Sequence, residues 1–189
     1  IFFKTKKKFK GKKKKILNNY KQVSFSNKKI DITIASIPGI AGLEPTINFT
    51  KISKKILLAN KESIICGWDV INKISKKNNT IIIPIDSEHF SIQRLIENYK
   101  PNEIEKIYIT ASGGPFLRRP IKKFNSIKPK DAIKHPKWKM GNKISIDSAT
   151  LMNKILELIE AYRIFPFAPN TYKIIIHPQS LVHAIVRFK

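Results

Sequence analysis

Residues 55–85, KILLANKESIICGWDVINKISKKNNTIIIPI, contain the pattern that decides the fold. A short apolar run at 55–59 predicts a buried strand, and a second apolar run at 80–85 predicts another. Between them, over 61–76, apolar residues recur at the spacing of one helix face. Strand, helix and strand in this order indicate two parallel strands joined by a crossover helix.

The residues upstream repeat this alternation. Residues 30–36 (IDITIAS) are rich in β-branched side chains and predict a strand, and a helix is expected over 43–52. Together the two stretches predict an α/β fold with a parallel sheet and crossover helices.

Beyond residue 85 the pattern changes. The sequence predicts a helix over 90–99, a strand over 104–110, irregular Pro- and Lys-rich chain over 115–143, an amphipathic helix over 148–164 and a strand over 172–176. We therefore place a domain boundary near residue 85.

The chain is strongly basic, with 37 Lys and Arg against 13 Asp and Glu and a formal charge of +24. Such an excess is typical of proteins that bind nucleic acid. Nearly all of the charge is lysine, however, whereas base recognition favours the planar guanidinium of arginine. We expect no nucleic-acid partner, and keep a non-catalytic basic remnant or a nucleic-acid-associated protein as the alternative.

Other global features limit the cell compartment and the extent of the chain. Cys66 is the single cysteine, so no internal disulfide can form; it is interpreted as a small core residue in a reducing compartment. No apolar stretch approaches the roughly 18 residues of a membrane span. The chain starts at Ile1 rather than Met, and we interpret it as a piece of a longer protein.

Acidic residues follow the strand that ends near residue 85. Two carboxylates in the string DSEH (86–89) could bind one divalent cation beyond the carboxyl end of a parallel strand. The same string could simply cap the next helix, with an Asp N-cap and a Glu in the first turn. Spacing alone leaves both interpretations open.

Candidate anion-binding groups follow at two later positions. The string SGGP (112–115) could bring backbone N–H groups and a hydroxyl to an anion, or form a tight turn. Ser148 is expected to cap the long helix, whose N-terminus could bind phosphate. Asn153, Lys154 and Glu157 share a face of that helix, which could also be an exposed, salt-bridged surface.

Two further strings have functional and structural interpretations. The string NKES (60–63) could present a lysine to a phosphate or an oxyanion, or cap the following helix. The string HPKWKMG (135–141) could form a lid over a ligand or an ordinary surface loop.

Several strings, in order along the chain, resemble the 1-deoxy-D-xylulose 5-phosphate reductoisomerase family. They are LLANKES (57–63), PIDSEH (84–89), SGGPF (112–116), HPKWKMG (135–141), KISIDSATLMNK (143–154) and IHPQS (176–180). The resemblance implies a partial Rossmann-like parallel sheet followed by an α+β catalytic domain. Residues 1–85 would be the C-terminal part of an NADPH-binding domain, and 86–189 a truncated metal- and substrate-binding domain.

The resemblance also implies the reaction, the rearrangement of 1-deoxy-D-xylulose 5-phosphate and its reduction by NADPH to 2-C-methyl-D-erythritol 4-phosphate in non-mevalonate isoprenoid biosynthesis. The metal, Mg²⁺ or Mn²⁺, would be bound by Asp86, Glu88 and Glu157. The catalytic residues would be Lys61, Glu88 and His135. The phosphorylated sugar would contact Lys61, Ser87, Glu88, Ser112, His135, Ser148, Asn153, Lys154 and Glu157. NADPH would contact Asn60, Glu62 and Gly141, and Trp138 and Met140 would belong to a closing flap.

The sequence also departs from the family pattern. The glycine-rich dinucleotide fingerprint is absent, so the fragment alone is expected to be inactive. Ile155 and Phe90 stand where smaller residues are expected, and Ile155 could crowd its helix and displace Glu157. The family implies a homodimer at full length, in the cytoplasm of a bacterium or in a plastid-type organelle.

Overall fold

A computed structural model describes residue 20 and residues 29–134 and 141–189 of the chain. The chain divides into two compact units, Ile1–Pro84 and Ile85–Lys189. Each unit contains a three-stranded sheet of its own. No helix in the described residues is both long enough and apolar enough to cross a membrane.

The first unit alternates strands and helices. Its elements are β1 (Ile30–Ala35), α1 (Leu43–Thr50), β2 (Ser53–Leu58), α2 (Lys61–Asn78) and β3 (Ile81–Pro84), with a 3-10 turn at Ile40–Gly42. The strands lie in the order β1-β2-β3, and both pairs are parallel. The predicted parallel sheet with crossover helices is therefore confirmed.

Apolar residues from β2 and α2 form the interior of the first unit. Ile56 and Leu58 on the sheet and Ile64 and Ile71 on the helix are almost completely buried. A Cβ added at Gly67 would lie 2.3 Å from a methyl group of Leu43, so the absence of a side chain lets α1 and α2 approach closely. This packing fixes where α2 begins relative to the carboxyl end of β2.

The second unit has a mixed sheet covered by helices, as the predicted α+β class requires. Its elements are α3 (Ser87–Ile96), β4 (Ile104–Ala111), α4 (Pro129–Ala132), α5 (Asn142–Ala149), α6 (Met152–Ile164), β5 (Tyr172–Ile176) and β6 (Ala184–Phe188), with 3-10 turns at Pro101–Glu103, Ile121–Ser126 and Pro169–Thr171. The strand order is β5-β4-β6; β5 runs parallel to β4, and β6 runs antiparallel to it.

The core of the second unit joins α3 and α6 to this sheet. Its buried residues are Ile92, Ile104, Ile107, Ile109, Ala161, Phe165, Tyr172 and Ala184. Because both helices pack into one core, their remaining faces are held in a fixed relation to each other.

The continuous helix predicted over 148–164 is wrong. Helix α5 ends at Ala149, and α6 begins at Met152, with Leu151 between them at a φ of 60°. Ser148 therefore lies in the last turn of α5 and does not cap α6. The N–H of Leu151 donates to the Ser148 carbonyl at 3.3 Å, which closes the turn.

Two smaller predictions also need correction. Helix α3 begins at Ser87 rather than near Phe90, so the DSEH string starts a helix instead of forming a loop. Cys66 is exposed and is not a core residue. The buried positions of α2 nearest to it are Ser63, Ile64 and Gly67. Cys66 lies about 200° around the helix from Ile64 and therefore points away from the centre of this buried face.

Candidate metal and substrate site

Asp86 and Glu88 are positioned by the start of helix α3. Strand β3 ends at Pro84, and Asp86 is the N-cap residue, whose carboxylate accepts a hydrogen bond from the Glu88 N–H at 3.2 Å. The capping interpretation of this string is therefore correct. Capping also fixes the two acidic residues beside each other in the first turn.

The third acidic residue comes from helix α6. One carboxylate oxygen each from Asp86, Glu88 and Glu157 can be chosen so that all three lie within 4.8 Å of one another. Oxygens on opposite sides of a bound Mg²⁺ are about 4 Å apart. The three side chains therefore converge closely enough to share one divalent ion after a small inward movement. Glu157 is 2% exposed, so the exposed-surface interpretation of this helix face is wrong.

Three donors hold the carboxylates of Glu88 and Glu157. The Lys154 ammonium lies 2.6 Å from Glu88 Oε1 and 2.5 Å from Glu157 Oε2. Ser87 Oγ donates to Glu88 Oε2 at 2.7 Å, and the Asn153 amide donates to Glu157 Oε1. Burial alone lowers the pKa of Lys154, but the charges of Glu157 and Glu88 outweigh it, so the pKa is raised.

Behind these residues His89 is completely buried. Its Nε2 lies 2.8 Å from the Glu157 carbonyl oxygen, and its Nδ1 lies 3.2 Å from Asp86 Oδ1 and 3.7 Å from Glu160 Oε2. Burial lowers the pKa of His89, but the Asp86 hydrogen bond and the Glu160 charge outweigh it, raising the pKa from 6.5 to about 9. His89 thus links α3 to α6 directly behind the acidic cluster.

The loop after β4 packs against the end of α5. Gly113 and Gly114 have φ values of 87° and 66°, and the Gly114 N–H donates to Ser112 Oγ at 3.3 Å. The tight-turn interpretation is therefore correct. A Cβ at Gly114 would lie 2.8 Å from the Ser148 carbonyl oxygen, so this turn brings the Ser112 segment to the Ser148 segment.

Two family models match successive parts of the chain. Residues 4–67 match the model for 1-deoxy-D-xylulose 5-phosphate reductoisomerase, and residues 82–165 match the model for the C-terminal domain of the same enzyme. The chain belongs to this reductoisomerase family.

Individual reductoisomerases match over nearly all of the chain. The protein of Pelagibacter ubique is 52% identical over 99% of the chain, and that of Treponema denticola is 46% identical over 100%. The matched region is 49% of each relative, so the chain spans about half the length of the curated relatives it matches. The alternative of a basic, nucleic-acid-associated remnant is not favoured by these matches.

Solved reductoisomerase structures share the fold. One is described as a complex with NADPH, fosmidomycin and magnesium; it is 42% identical, has a TM-score of 0.75 and covers 86% of this chain and 42% of its own. Another, from Zymomonas mobilis in complex with NADPH, is 39% identical and has a TM-score of 0.76. The match covers 84% of this chain and 40% of the Zymomonas chain.

The residues expected to contact the cofactor lie at two helix starts. Asn60 is the N-cap of α2: it accepts from the Ser63 N–H at 2.5 Å, and its amide donates to the carbonyls of Gly39, at 2.9 Å, and Ile37. The capping interpretation of NKES is thus correct. Lys61 and Glu62 follow in the first turn and are half-buried. Gly141 is exposed at the N-cap of α5 in the second unit.

The remaining expected positions fall into two groups. His135, Trp138 and Met140 lie outside the described residues. Ile155 and Phe90 are 45% and 39% exposed, and the Phe90 ring lies 5.3 Å below the Arg94 guanidinium. Because Ile155 faces solvent, the predicted crowding around Glu157 is not seen.

Sequence reasoning missed three residues of this region. His89 and Glu160 contribute to the buried cluster. His177, which directly follows β5, donates its backbone N–H to the Ala111 carbonyl at 2.7 Å, beside the Ser112 loop. The available signal was spacing: His89 follows Asp86, and Glu160 follows Glu157, by the three residues that bring two positions to one helix face.

Proposed function

We propose that this chain carries the metal- and substrate-binding part of an enzyme that converts 1-deoxy-D-xylulose 5-phosphate to 2-C-methyl-D-erythritol 4-phosphate with NADPH, in non-mevalonate isoprenoid biosynthesis. The observation that carries the proposal is the convergence of Asp86, Glu88 and Glu157 within 4.8 Å in a member of the reductoisomerase family. The related complexes with NADPH, fosmidomycin and magnesium support it.

The donor set fits Mg²⁺ or Mn²⁺. Asp86, Glu88 and Glu157 offer only carboxylate oxygens, which are the ligands that these hard cations prefer. When bound, such an ion supplies Lewis-acid polarisation of the substrate's carbonyl and hydroxyl oxygens. The protein's own contribution is to position the ligands: Ser87 donates to Glu88 and Asn153 to Glu157. Asp86 is contacted by the Glu88 N–H and the His89 ring.

The substrate contacts are proposed from the same side chains. Ser112, Ser148, Asn153 and Lys154 would bind the phosphate group, with His135 nearby. Ser87 and Lys61 would contact the hydroxyl end of the sugar, beside Glu88 and Glu157. We assign Lys61, Glu88 and His135 to catalysis, and Trp138 and Met140 to a flap that excludes water. The second unit supports the phosphate assignment, since the turn after Ser112 packs against Ser148.

We propose that residues 1–85 are the C-terminal part of an NADPH-binding domain and 86–189 part of the catalytic domain. Asn60, Glu62 and Gly141 would contact NADPH. The Asn60 amide already contacts the carbonyls of Gly39 and Ile37, so its part would be to hold that turn at the start of α2. Hydride transfer is the chemistry of the cofactor, which the protein orients.

The remaining assignments concern the full-length protein. It would be a homodimer, without a nucleic-acid partner, and would act in a reducing compartment. The bacterial relatives favour the cytoplasm over a plastid-type organelle.

The proposal is tested with full-length protein by following NADPH oxidation after addition of 1-deoxy-D-xylulose 5-phosphate. The wild type should turn over only with Mg²⁺ or Mn²⁺. Glu88→Gln should lose more than about 100-fold in rate, because removing a ligand exceeds the effect of removing an outer-sphere partner. Glu97→Gln, on the exposed side of the same unit, is the control and should retain the rate. A full rate in Glu88→Gln, or in the absence of metal, would contradict the proposal.

A further inference from the structure

Lys154 places a buried positive charge between two of the three clustered carboxylates. Its Nζ lies 2.6 Å from Glu88 Oε1 and 2.5 Å from Glu157 Oε2, and the residue is 6% exposed. A buried ammonium needs such direct contacts to replace its hydration. Lys154 is therefore the internal counter-ion of this carboxylate pair.

The other two oxygens of the pair have neutral donors. Glu88 Oε2 accepts from the Ser87 hydroxyl and Glu157 Oε1 from the Asn153 amide. Every carboxylate oxygen of Glu88 and Glu157 thus has a hydrogen-bond donor, and the only charged donor among these is Lys154. A cation that used these two residues would have to share an oxygen with one of these donors.

Charge decides which donor is affected. A divalent ion lies about 2.1 Å from its ligand oxygens, so an ammonium on the same two carboxylates would be held close to a double positive charge. Like charges repel strongly in a buried site, where the effective dielectric constant is low. The hydroxyl of Ser87 and the amide of Asn153 carry no net charge and can remain.

We propose that Lys154 and the divalent ion are competing partners of Glu88 and Glu157, so that Lys154 sets the metal affinity of the site. This inference rests on the proposed function, which supplies the metal and assigns Lys154 to the substrate's phosphate. One ammonium cannot neutralise both the carboxylate pair and a phosphate. An anion that draws the ammonium away should therefore strengthen metal binding. By the same factor, the bound metal should strengthen binding of the anion.

A purely structural role for Lys154 gives the opposite result. If the ammonium only ties Glu88 to Glu157 and holds them ready for metal, then its removal separates the ligands and weakens metal binding. If it competes, then its removal strengthens metal binding. The sign of one affinity change separates the two roles.

The test is calorimetric titration of full-length protein with Mn²⁺, above neutral pH so that the carboxylates are ionised. Lys154→Gln should bind Mn²⁺ more tightly than wild type by about 5- to 150-fold, the usual range of coupling between sites. Lys154→Arg keeps the charge and should stay close to wild type. Lys106→Gln makes the same charge change at a half-buried position outside the acidic cluster, and it controls for the change in net charge.

A second titration uses methyl phosphate as the anion. It should raise the Mn²⁺ affinity of the wild type and leave that of Lys154→Gln unchanged. If Lys154→Gln does not fold, the competition is tested in the wild type instead. The rate at which a chemical reagent acetylates Lys154 is then measured by mass spectrometry, with and without Mn²⁺. Mn²⁺ should then increase the labelling of Lys154 and leave that of Lys106 constant.

The outcomes separate this inference from the proposed function. Equal or weaker Mn²⁺ binding by Lys154→Gln than by Lys106→Gln, or labelling of Lys154 that Mn²⁺ does not increase, overturns the competition and leaves the reductoisomerase assignment intact. No Mn²⁺ binding by the wild type overturns both.

Discussion

The Nε2 atom of His89 lies 2.8 Å from the carbonyl oxygen of Glu157, although 68 positions separate the two residues in the chain. The other ring nitrogen lies 3.2 Å from Asp86 Oδ1. One buried side chain thus contacts the carboxylate of one proposed metal ligand and the backbone of another. The geometry of the acidic cluster depends on this link between α3 and α6.

Replacing His89 should therefore weaken metal binding without removing a ligand. His89→Phe keeps a ring of similar size and removes both contacts, and Mn²⁺ affinity should fall about 10- to 100-fold, as for other outer-sphere partners. His89→Gln, which retains one donor, should lie between this variant and the wild type. Calorimetric titration of folded, full-length variants measures the change.

His183→Phe is the matched control, because His183 lies in the same unit outside the acidic cluster. Its Mn²⁺ affinity should equal that of the wild type. If His89→Phe binds Mn²⁺ as tightly as His183→Phe, the ring does not position the ligands.

Because the helix is broken at Leu151, glycine at this position should be more stable than alanine, which is the reverse of the order in a continuous helix. In a continuous exposed helix, glycine is about 1 kcal/mol less stable than alanine. Leu151 has a φ of 60°, where a residue with a Cβ costs about 1–2 kcal/mol. Leu151→Gly should therefore have a free energy of unfolding about 1 kcal/mol higher than that of Leu151→Ala, measured by urea denaturation. The reverse order would show one continuous helix through this position.

Gly114 should tolerate no side chain. Its φ is 66°, and an added Cβ would lie 2.8 Å from the Ser148 carbonyl oxygen. Gly114→Ala should lower the free energy of unfolding by about 1–3 kcal/mol, the cost of a strained backbone conformation, with the contact adding to it. Gly141→Ala has open space and an ordinary φ of −64°, so it should change stability by less than about 1 kcal/mol. Equal stability of the two variants would argue against the packed turn.

The exposed position of Ile155 predicts that its size has no effect on the metal site. Because the side chain is 45% exposed, Ile155→Ala should change stability by only about 0.5 kcal/mol and leave Mn²⁺ affinity unaltered. Ile107→Ala, at a fully buried position, should cost about 2–5 kcal/mol in the same denaturation assay. A tighter Mn²⁺ site in Ile155→Ala would restore the crowding interpretation.

The strand and helix alternation of the first unit was accessible from the sequence because its signal is local. Apolar runs of strand length flank a segment with helical spacing, and the parallel sheet follows from that order. The exposure of Cys66 was predicted wrongly because an apolar neighbour in the sequence, Ile64, does not show on which side of the helix Cys66 lies. The helix face, set by Ile64, Gly67 and Ile71, decides it.

The break between α5 and α6 was not accessible. Leu151 and Met152 are good helix formers, and neither glycine nor proline occurs there to mark an interruption. The left-handed conformation of Leu151 occurs where the turn at Gly114 packs against Ser148 and Ala149. Such a contact between distant segments leaves no local pattern in the sequence.

The acidic cluster was predictable only through the family resemblance. The spacing of Asp86 and Glu88 equally predicts a helix cap, and the structure contains that cap and the clustered carboxylates together. Glu157 and Glu160 resemble surface residues of an ordinary helix. Their burial depends on the packing of α6 against α3 and β4, which single-residue patterns do not reveal.

The proposed metal site is tested most directly by a Mn²⁺ titration of the full-length protein, followed by electron paramagnetic resonance of the free ion. The wild type should bind one Mn²⁺ ion per chain. Asp86→Asn, Glu88→Gln and Glu157→Gln should each lose more than about 100-fold in affinity, and Glu97→Gln should bind normally. Wild-type Mn²⁺ affinity in any one of the three folded variants would contradict a site built from these carboxylates.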